Sequence, residues 1–115
     1  MLTTLSNHLL GLPFRVPVDP YEDGVPDYYE KVTCPMDLQT MRLRLERGKY
    51  QSMEEFYQDL ELIISNARLY HHRDDNFIAI TKKFETLCTK LRRQLDPASH
   101  KRRGPVARKE QRNVK

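Results

Sequence analysis

The segment from Pro26 to Leu38 holds the side chains of this chain that are best suited to recognition chemistry. It reads Pro-Asp-Tyr-Tyr-Glu-Lys-Val-Thr-Cys-Pro-Met-Asp-Leu, so two aromatic rings with hydroxyl tips follow one proline and a second proline precedes Asp37. Such rings suit a ligand that is partly apolar and partly polar, because the ring packs against carbon while the hydroxyl forms a hydrogen bond. The segment therefore predicts binding rather than catalysis.

Motifs for catalysis or metal binding are weak by comparison. The sequence has no glycine-rich phosphate loop and no Gly-x-Ser-x-Gly nucleophile turn. Cys34 and Cys88 are far apart and have no Cys-x-x-Cys spacing. The pair His71 and His72, although followed by two aspartates, does not have the four-ligand spacing of a structural zinc site. We therefore expect no enzyme, no metal and no cofactor, and we expect two reduced thiols, with Cys88 in the core.

Four segments with apolar residues at helical spacing must position the recognition segment. The first is expected to stop at Gly11, and the second to begin at its cap, Asp37. Ser52-Met53-Glu54-Glu55 is a capping box that opens the third, and Pro97 ends the fourth. The helices are expected at about 2–10, 38–47 and 53–70, and from about Phe77 until Pro97, with Asp74, Asp75 and Asn76 as the cap of the last.

The connections between these helices indicate where a pocket would form. Nothing alternates with a period of two over the length of a strand, so we predict an all-α fold, an antiparallel four-helix bundle. The loop from Leu12 to Pro35 contains five prolines but many apolar residues, including Tyr28 and Tyr29, and Tyr29 is expected in the core. In a bundle, this long loop between the first and second helices would meet the short connection His71–Asp75.

Composition and charge limit the other classes of protein. The 115 residues support one domain, 38% are hydrophobic and 31% are charged. No apolar run reaches the roughly 18 residues of a membrane span, and the first residues lack a secretion signal, so we expect an intracellular protein with no membrane contact. A chain of this extent is also compatible with a fragment of a longer protein.

Positive charge is concentrated at the end of the chain. Residues 96–115 have seven Lys or Arg against two acidic residues, whereas the whole chain carries +4, so residues 1–95 are slightly acidic. We expect the helical domain at 1–96 and a basic, disordered tail at 97–115. The tail would be a solvated segment, a nuclear-localisation signal or a contact to nucleic acid. Such a contact would be non-specific, because the tail has no aromatic residue to stack on bases.

Several motifs, in their order and distances, resemble those of a bromodomain. They are Pro13-Phe14, Pro17-Val18-Asp19, Pro26-Asp27-Tyr28-Tyr29, Pro35-Met36-Asp37-Leu38, Glu54-Glu55-Phe56 with Asp59 and Asn66, and Tyr70. The similarity runs from about Leu9 to Leu95. It implies a left-handed four-helix bundle that reads acetylated lysine, in histone tails or other acetylated proteins, between the first and third interhelical loops. It also implies a nuclear role in chromatin or transcription.

The resemblance assigns a place in the acetyl-lysine pocket to seven residues. Phe14 would be the aromatic shelf, and Tyr28 would hold a water that hydrogen-bonds the acetyl carbonyl. Phe77 would be the gatekeeper at the start of the last helix. The implied set is Phe14, Val18, Val25, Tyr28, Tyr70, His71 and Phe77.

The anchor position departs from the family pattern. The usual donor is an asparagine directly after the tyrosine that ends the third helix, and this chain has His71 there. Asn66 lies more than a turn earlier and is no substitute. A neutral imidazole donates one hydrogen bond and a protonated one donates two, but neither presents the adjacent donor and acceptor of an amide. If His71 is the donor, the affinity for acetylated peptide should change over the pH range in which His71 titrates.

Three outcomes stay open for this anchor. His71 replaces the asparagine, or binding weakens and depends on the water held by Tyr28, or the pocket takes another ligand. The alternative function is accordingly a degenerate bromodomain, a protein-interaction or nucleic-acid-contacting module without acetyl-lysine dependence.

Overall fold

Helices form all the regular secondary structure of residues 1–95, the part of the chain that the computed structural model describes. They are α1 (Leu2–Asn7), a 3₁₀-helix (Leu9–Phe14), α2 (Tyr28–Lys31), α3 (Leu38–Glu46), α4 (Met53–Tyr70) and α5 (Asp75–Leu95). The predicted all-α class is confirmed, and it fits a helical bundle. The predicted tail at 97–115 and the stop at Pro97 lie outside the described residues.

The chain divides into two compact units within α5. The first is Met1–Glu85, and the second begins at Thr86. Cys88, in the second unit, is buried. All the packing described below belongs to the first unit. No helix among residues 1–95 is both long and apolar enough to cross a membrane.

The first helix ends earlier than its leucine spacing predicts. His8 adopts an extended conformation, α1 stops at Asn7, and the chain then turns into the 3₁₀-helix. The His8 imidazole accepts a hydrogen bond from the backbone N–H of Leu10, which stabilises this second turn. Leu9, expected on the apolar face, is 79% exposed. The prediction of one helix up to Gly11 is therefore wrong.

Caps define the helices that carry the pocket. The Asp37 carboxylate accepts from the backbone N–H of Thr40 at 2.8 Å and from its hydroxyl at 2.6 Å. Helix α3 ends at Glu46, one residue earlier than predicted. Just beyond this end, Gly48 has a φ of +67°, a left-handed conformation that favours glycine. Both features keep α3 short, and α4 follows after a brief turn.

The capping box that opens α4 forms with one change. The Ser52 hydroxyl accepts from the backbone N–H of Glu55 at 3.3 Å, as predicted. The Glu55 carboxylate accepts a hydrogen bond from the backbone N–H of Gln51 at 2.7 Å, whereas a capping box would have it accept from the N–H of Ser52. The helix spans 18 residues and buries one apolar face, which confirms its predicted length. The largest fully buried side chains of the first unit are Phe84, Leu5, Leu38, Met41, Val32 and Thr81.

Hydrogen bonds fix the long loop between the 3₁₀-helix and α3. The Asp19 carboxylate accepts from the N–H groups of Tyr21 and Glu22, both at 3.2 Å. The Asn66 amide of α4 donates to the carbonyl of Cys34 at 2.8 Å, which ties the end of the loop to α4. The loop is therefore an ordered segment with helical turns of its own.

The Tyr29 side chain lies at the surface and binds the long loop through its hydroxyl. It is 44% exposed, so its predicted place in the core is wrong. Its hydroxyl donates to the carbonyl of Val18 at 2.5 Å, and its ring meets the ring of Tyr28 edge to face with centroids 5.4 Å apart. The hydroxyl therefore binds the loop backbone while part of the ring stays in contact with solvent.

Candidate functional site

A cavity of about 300 Å³ lies between the long loop and the C-terminal end of α4. The structure places six of the seven predicted site residues on its wall, and Tyr70 is the exception. The six are Phe14, Val18, Val25, Tyr28, His71 and Phe77. They come from sequence positions that are far apart, and the fold alone brings them together.

One face of α4 supplies a further part of the wall. Ile63, Ala67 and His71 follow each other at intervals of four residues, so they share a helical face that reaches the cavity. Ile63 and Ala67 are buried in the core, and both also line the cavity. Their spacing to His71 is the signal that would have found them.

Aromatic rings form one wall of the cavity. Phe14 is buried and packs on Phe84 with ring centroids 4.5 Å apart. It also meets Phe77 at right angles, with centroids 6.0 Å apart. Since edge-to-face pairs are favourable, this contact stabilises the wall as well as shaping it.

Phe77 and His71 form a stacked pair at the wall. Their ring centroids are 3.8 Å apart and their planes differ by 15°. The main chain fixes both residues, because the N–H of His71 donates to the carbonyl of Ala67 and the N–H of Phe77 donates to the Asp74 carboxylate. Phe77 is half-buried, so it serves the core and the cavity together.

The imidazole of His71 is a neutral donor at ordinary pH. Partial burial lowers its pKa below the usual value of 6.5, and the nearby Asp74 carboxylate opposes this shift more weakly. Within residues 1–95, no protein group forms a hydrogen bond with this imidazole. One N–H is therefore available to an acceptor in the cavity.

The lowered pKa of His71 predicts a pH dependence of stability. The unfolded chain binds this proton more readily than the folded chain, so the free energy of unfolding should fall as pH drops through about 6.5. Urea denaturation of the wild type and of His71→Asn, between about pH 5.5 and about pH 8, measures it. We expect the wild type to lose more stability at acid pH than the variant. Parallel curves would contradict the assignment.

Tyr28 presents the second polar group of the cavity. It is buried, and desolvation, followed by the charge of Tyr29, raises its pKa, so the hydroxyl stays protonated. No protein partner of this hydroxyl occurs in the part of the chain that the structure describes. The hydroxyl can therefore bind a water or a ligand.

Two carboxylates on the wall are already used by the backbone. Asp37 caps α3, and Asp23 accepts from the N–H of Asp19 at 3.0 Å. Both belong to the cavity lining, and the sequence did not indicate a place there for either. Both carboxylates therefore have a structural role at the wall.

Tyr70 lies behind the wall. Its ring packs against Tyr28 and His71, with centroids 5.0 Å and 4.9 Å away. Its hydroxyl donates to the Asp27 carboxylate. This hydrogen bond, together with burial, raises the pKa of Tyr70 to about 12. Tyr70 thus contacts two residues of the cavity without lining it.

Metal ligands do not converge in the described residues. Among residues 1–95, no group of three or more His, Cys, Asp or Glu side chains could hold a metal ion. A ring nitrogen of His72 lies 3.0 Å from the carbonyl oxygen of Leu69. The cavity lining is mostly apolar side chains, and its polar side chains are Tyr28, His71, Asp23 and Asp37.

Comparison with known proteins gives a consistent family match. The family model described as Bromodomain matches residues 1–83. The histone acetyltransferase GCN5 of Yarrowia lipolytica is 37% identical over 100 residues, which cover 87% of this chain and 21% of that protein. The transcription factor GTE10 of Arabidopsis thaliana is 40% identical over 90 residues, covering 75% of this chain and 8% of that protein.

A third relative gives a similar match. GCN5 of Debaryomyces hansenii is 39% identical over 85 residues, which cover 74% of this chain and 18% of that protein. The chain spans about a fifth or less of the length of these relatives.

Proposed function

This chain belongs to the bromodomain family, and we propose that its cavity binds acetylated lysine of histone tails or other nuclear proteins. Bromodomains are binding modules of chromatin and transcription proteins, and the similarity to GCN5 covers only 21% of that enzyme. The three named relatives, two histone acetyltransferases and a transcription factor, support a nuclear location for this chain.

One observation carries the proposal. The cavity combines mainly apolar walls with two protein groups that have no hydrogen-bond partner among residues 1–95, the Tyr28 hydroxyl and the His71 imidazole. Buried polar groups normally have partners, so these two are suited to a polar ligand or to water. A single amide carbonyl placed between apolar walls would match them.

The chemistry of acetylation fits this cavity. Acetylation converts the lysine ammonium into a neutral amide with a methyl group. Burial of the methyl and of the side-chain stem contributes about 0.8 kcal/mol per CH₂ group. An unmodified lysine would have to lose the hydration of its charge to enter the same apolar walls. The cavity should therefore select the acetylated form.

We propose that His71 takes the role that asparagine has in most relatives. Its lowered pKa leaves a neutral imidazole with one N–H donor, which suits a carbonyl oxygen. Stacking on Phe77 holds the ring in one plane, so the donor is oriented before the ligand arrives. The water bound by Tyr28 would provide the second hydrogen bond.

A peptide panel with a matched pair of tyrosine variants tests the function. Acetylated and unmodified histone-tail peptides are titrated by calorimetry into the wild type, Tyr28→Phe and Tyr21→Phe. Tyr21 lies on the same loop, is 86% exposed and does not line the cavity. We expect Tyr28→Phe to weaken acetyl-dependent binding by roughly threefold to tenfold, because one hydrogen bond is lost, and Tyr21→Phe to leave it unchanged.

Two outcomes of this panel would contradict the proposal. Equal binding of acetylated and unmodified peptides would favour the degenerate interaction module. Equal losses in both tyrosine variants would place the binding surface outside the cavity.

The basic tail is the basis for a second proposed contact, to nucleic acid. Residues 97–115 have seven Lys or Arg and one acidic residue, and they lie outside the described residues. Deletion of 97–115 should abolish salt-sensitive DNA binding and leave peptide binding unchanged. Loss of peptide binding on deletion would contradict separate roles.

A further inference from the structure

A second groove, with a volume of about 640 Å³, lies between α3 and the N-terminal part of α4. Its lining is mostly polar and charged side chains, with one leucine. We infer that this α3–α4 groove binds an acidic side chain of a partner protein, an aspartate, a glutamate or a phosphorylated residue, next to an apolar one. The lining residues that carry the inference are Leu43, Arg44, Arg47, Lys49, Tyr50 and Asp59.

The groove is separate from the cavity proposed for acetyl-lysine. Glu55 and Asp59 line it from the first two turns of α4, whereas His71 follows the last turn of the same helix. At a rise of about 1.5 Å per residue, Asp59 and His71 are about 18 Å apart along the helix axis. Both sites can therefore be occupied together, and the inference does not rest on the proposed function.

Hydrogen bonds orient Arg44 at the groove. The Tyr50 hydroxyl donates to the Asp59 carboxylate at 2.6 Å, and the Arg44 guanidinium donates to the same carboxylate at 3.0 Å. Burial, together with the bond to Asp59, raises the pKa of Tyr50, so its hydroxyl stays a donor. A guanidinium has five N–H groups, and the Arg44 side chain is 47% exposed. Arg44 is therefore positioned before a ligand arrives and has further N–H groups to offer it.

Arg47 and Lys49 leave positive charge at the groove without a counter-ion. Both are exposed, and neither forms an ion pair with any of residues 1–95. Of the two acidic lining residues, Asp59 is paired with Arg44, and Glu55 accepts from the backbone N–H of Gln51. An anionic group from outside the chain would match the two unpaired cations, because charge-assisted hydrogen bonds are stronger than neutral ones.

The surroundings of the groove favour a protein segment over nucleic acid. Glu55 lines the groove and Glu46 directly precedes Arg47, and both are exposed. Duplex DNA has one negative charge per about 1.7 Å, so these carboxylates would repel an extended polyanion. Leu43 lines the groove and is 43% exposed, which leaves an apolar contact for a neighbouring side chain of the partner.

Three blocked tripeptides serve as probes in NMR titrations of the isotope-labelled chain: Leu-Asp-Leu, Leu-phosphoserine-Leu and the neutral Leu-Asn-Leu. We expect the two anionic peptides to produce saturable shifts at Leu43, Arg47 and Lys49, and Leu-Asn-Leu to produce none there. The tighter of the two anionic peptides identifies the preferred anion as carboxylate or phosphate.

A matched pair of double variants separates the groove from net charge. Arg47→Gln with Lys49→Gln should lower the affinity for the tighter peptide by roughly threefold to tenfold. Lys31→Gln with Lys83→Gln removes the same charge from two exposed lysines that do not line the groove, and it should bind like the wild type. Urea denaturation checks that both double variants are folded.

Three results would overturn the inference. The first is the absence of saturable shifts at the groove with both anionic peptides, or equal shifts with Leu-Asn-Leu. The second is an equal loss of affinity in the two double variants. The third is a short DNA duplex that shifts the same residues at lower concentration than either peptide, which would assign the groove to nucleic acid. None of these results depends on acetyl-lysine binding, so the inference and the proposed function fail separately.

Discussion

Replacement of His71 with alanine is expected to lower the affinity for acetylated peptide by at least roughly tenfold, while the protein stays folded. The variant loses an imidazole that lines the cavity and has no hydrogen-bond partner among residues 1–95, and it loses the ring that stacks on Phe77 with centroids 3.8 Å apart. Both losses affect the ligand more than the core, because His71 is half-buried and caps the end of α4 through its main chain. Calorimetry measures the affinity, and urea denaturation checks the fold.

The matched variant is His71→Asn. It introduces the asparagine that the bromodomain resemblance implies at this position and should bind at least as well as the wild type, because an amide offers a donor and an acceptor on adjacent atoms. If His71→Ala binds like the wild type and His71→Asn binds no better, His71 is not the anchor. Binding would then depend on Tyr28 and its water, or the cavity would have another ligand.

Gly11→Ala is expected to have the largest effect on folding, a loss of more than about 2 kcal/mol or failure to fold. A Cβ at Gly11 would stand 1.9 Å from the carbonyl oxygen of Leu5. That oxygen accepts from the N–H of His8, and the N–H of Gly11 donates to the carbonyl of His8, so the two turns cannot separate without losing hydrogen bonds. Urea denaturation gives the free energy of unfolding.

The control for this effect is Gly24→Ala. Gly24 has a φ of +71° and nothing within 4 Å of an added Cβ, so alanine there costs only the backbone conformation, about 1 kcal/mol. A loss at Gly11 no larger than the loss at Gly24 would contradict the close approach of the 3₁₀-helix to α1.

Local signals in the sequence were sufficient for the central helices. The capping box at Ser52 and the regular apolar face that follows it predicted α4 correctly, because caps and helical periodicity depend on neighbours in the sequence. Asp37 likewise predicted the start of α3, and the expected end at 47 lies one residue beyond the observed end at Glu46. The resemblance to bromodomains supplied the six cavity residues that periodicity could not identify.

Features set by distant contacts could not be predicted in this way. Leu5 and Leu9 have helical spacing, yet the chain breaks at His8 so that Gly11 can pack on Leu5. The Tyr29 side chain stays partly exposed, and its hydroxyl binds a partner 11 positions away in the sequence. No local pattern contains that partner, so the ring was assigned to the core. The domain limits at 1–96 and the disordered tail stay predictions.

The most direct test of the central claim is an NMR titration of the isotope-labelled chain with free Nε-acetyl-lysine and, separately, with lysine. Acetyl-lysine should produce saturable shifts at Val25, Tyr28, Ala67 and His71, which line the cavity, and lysine should produce none there. Equal shifts from both compounds, or shifts confined to residues outside the cavity, would contradict acetyl-lysine recognition at this site.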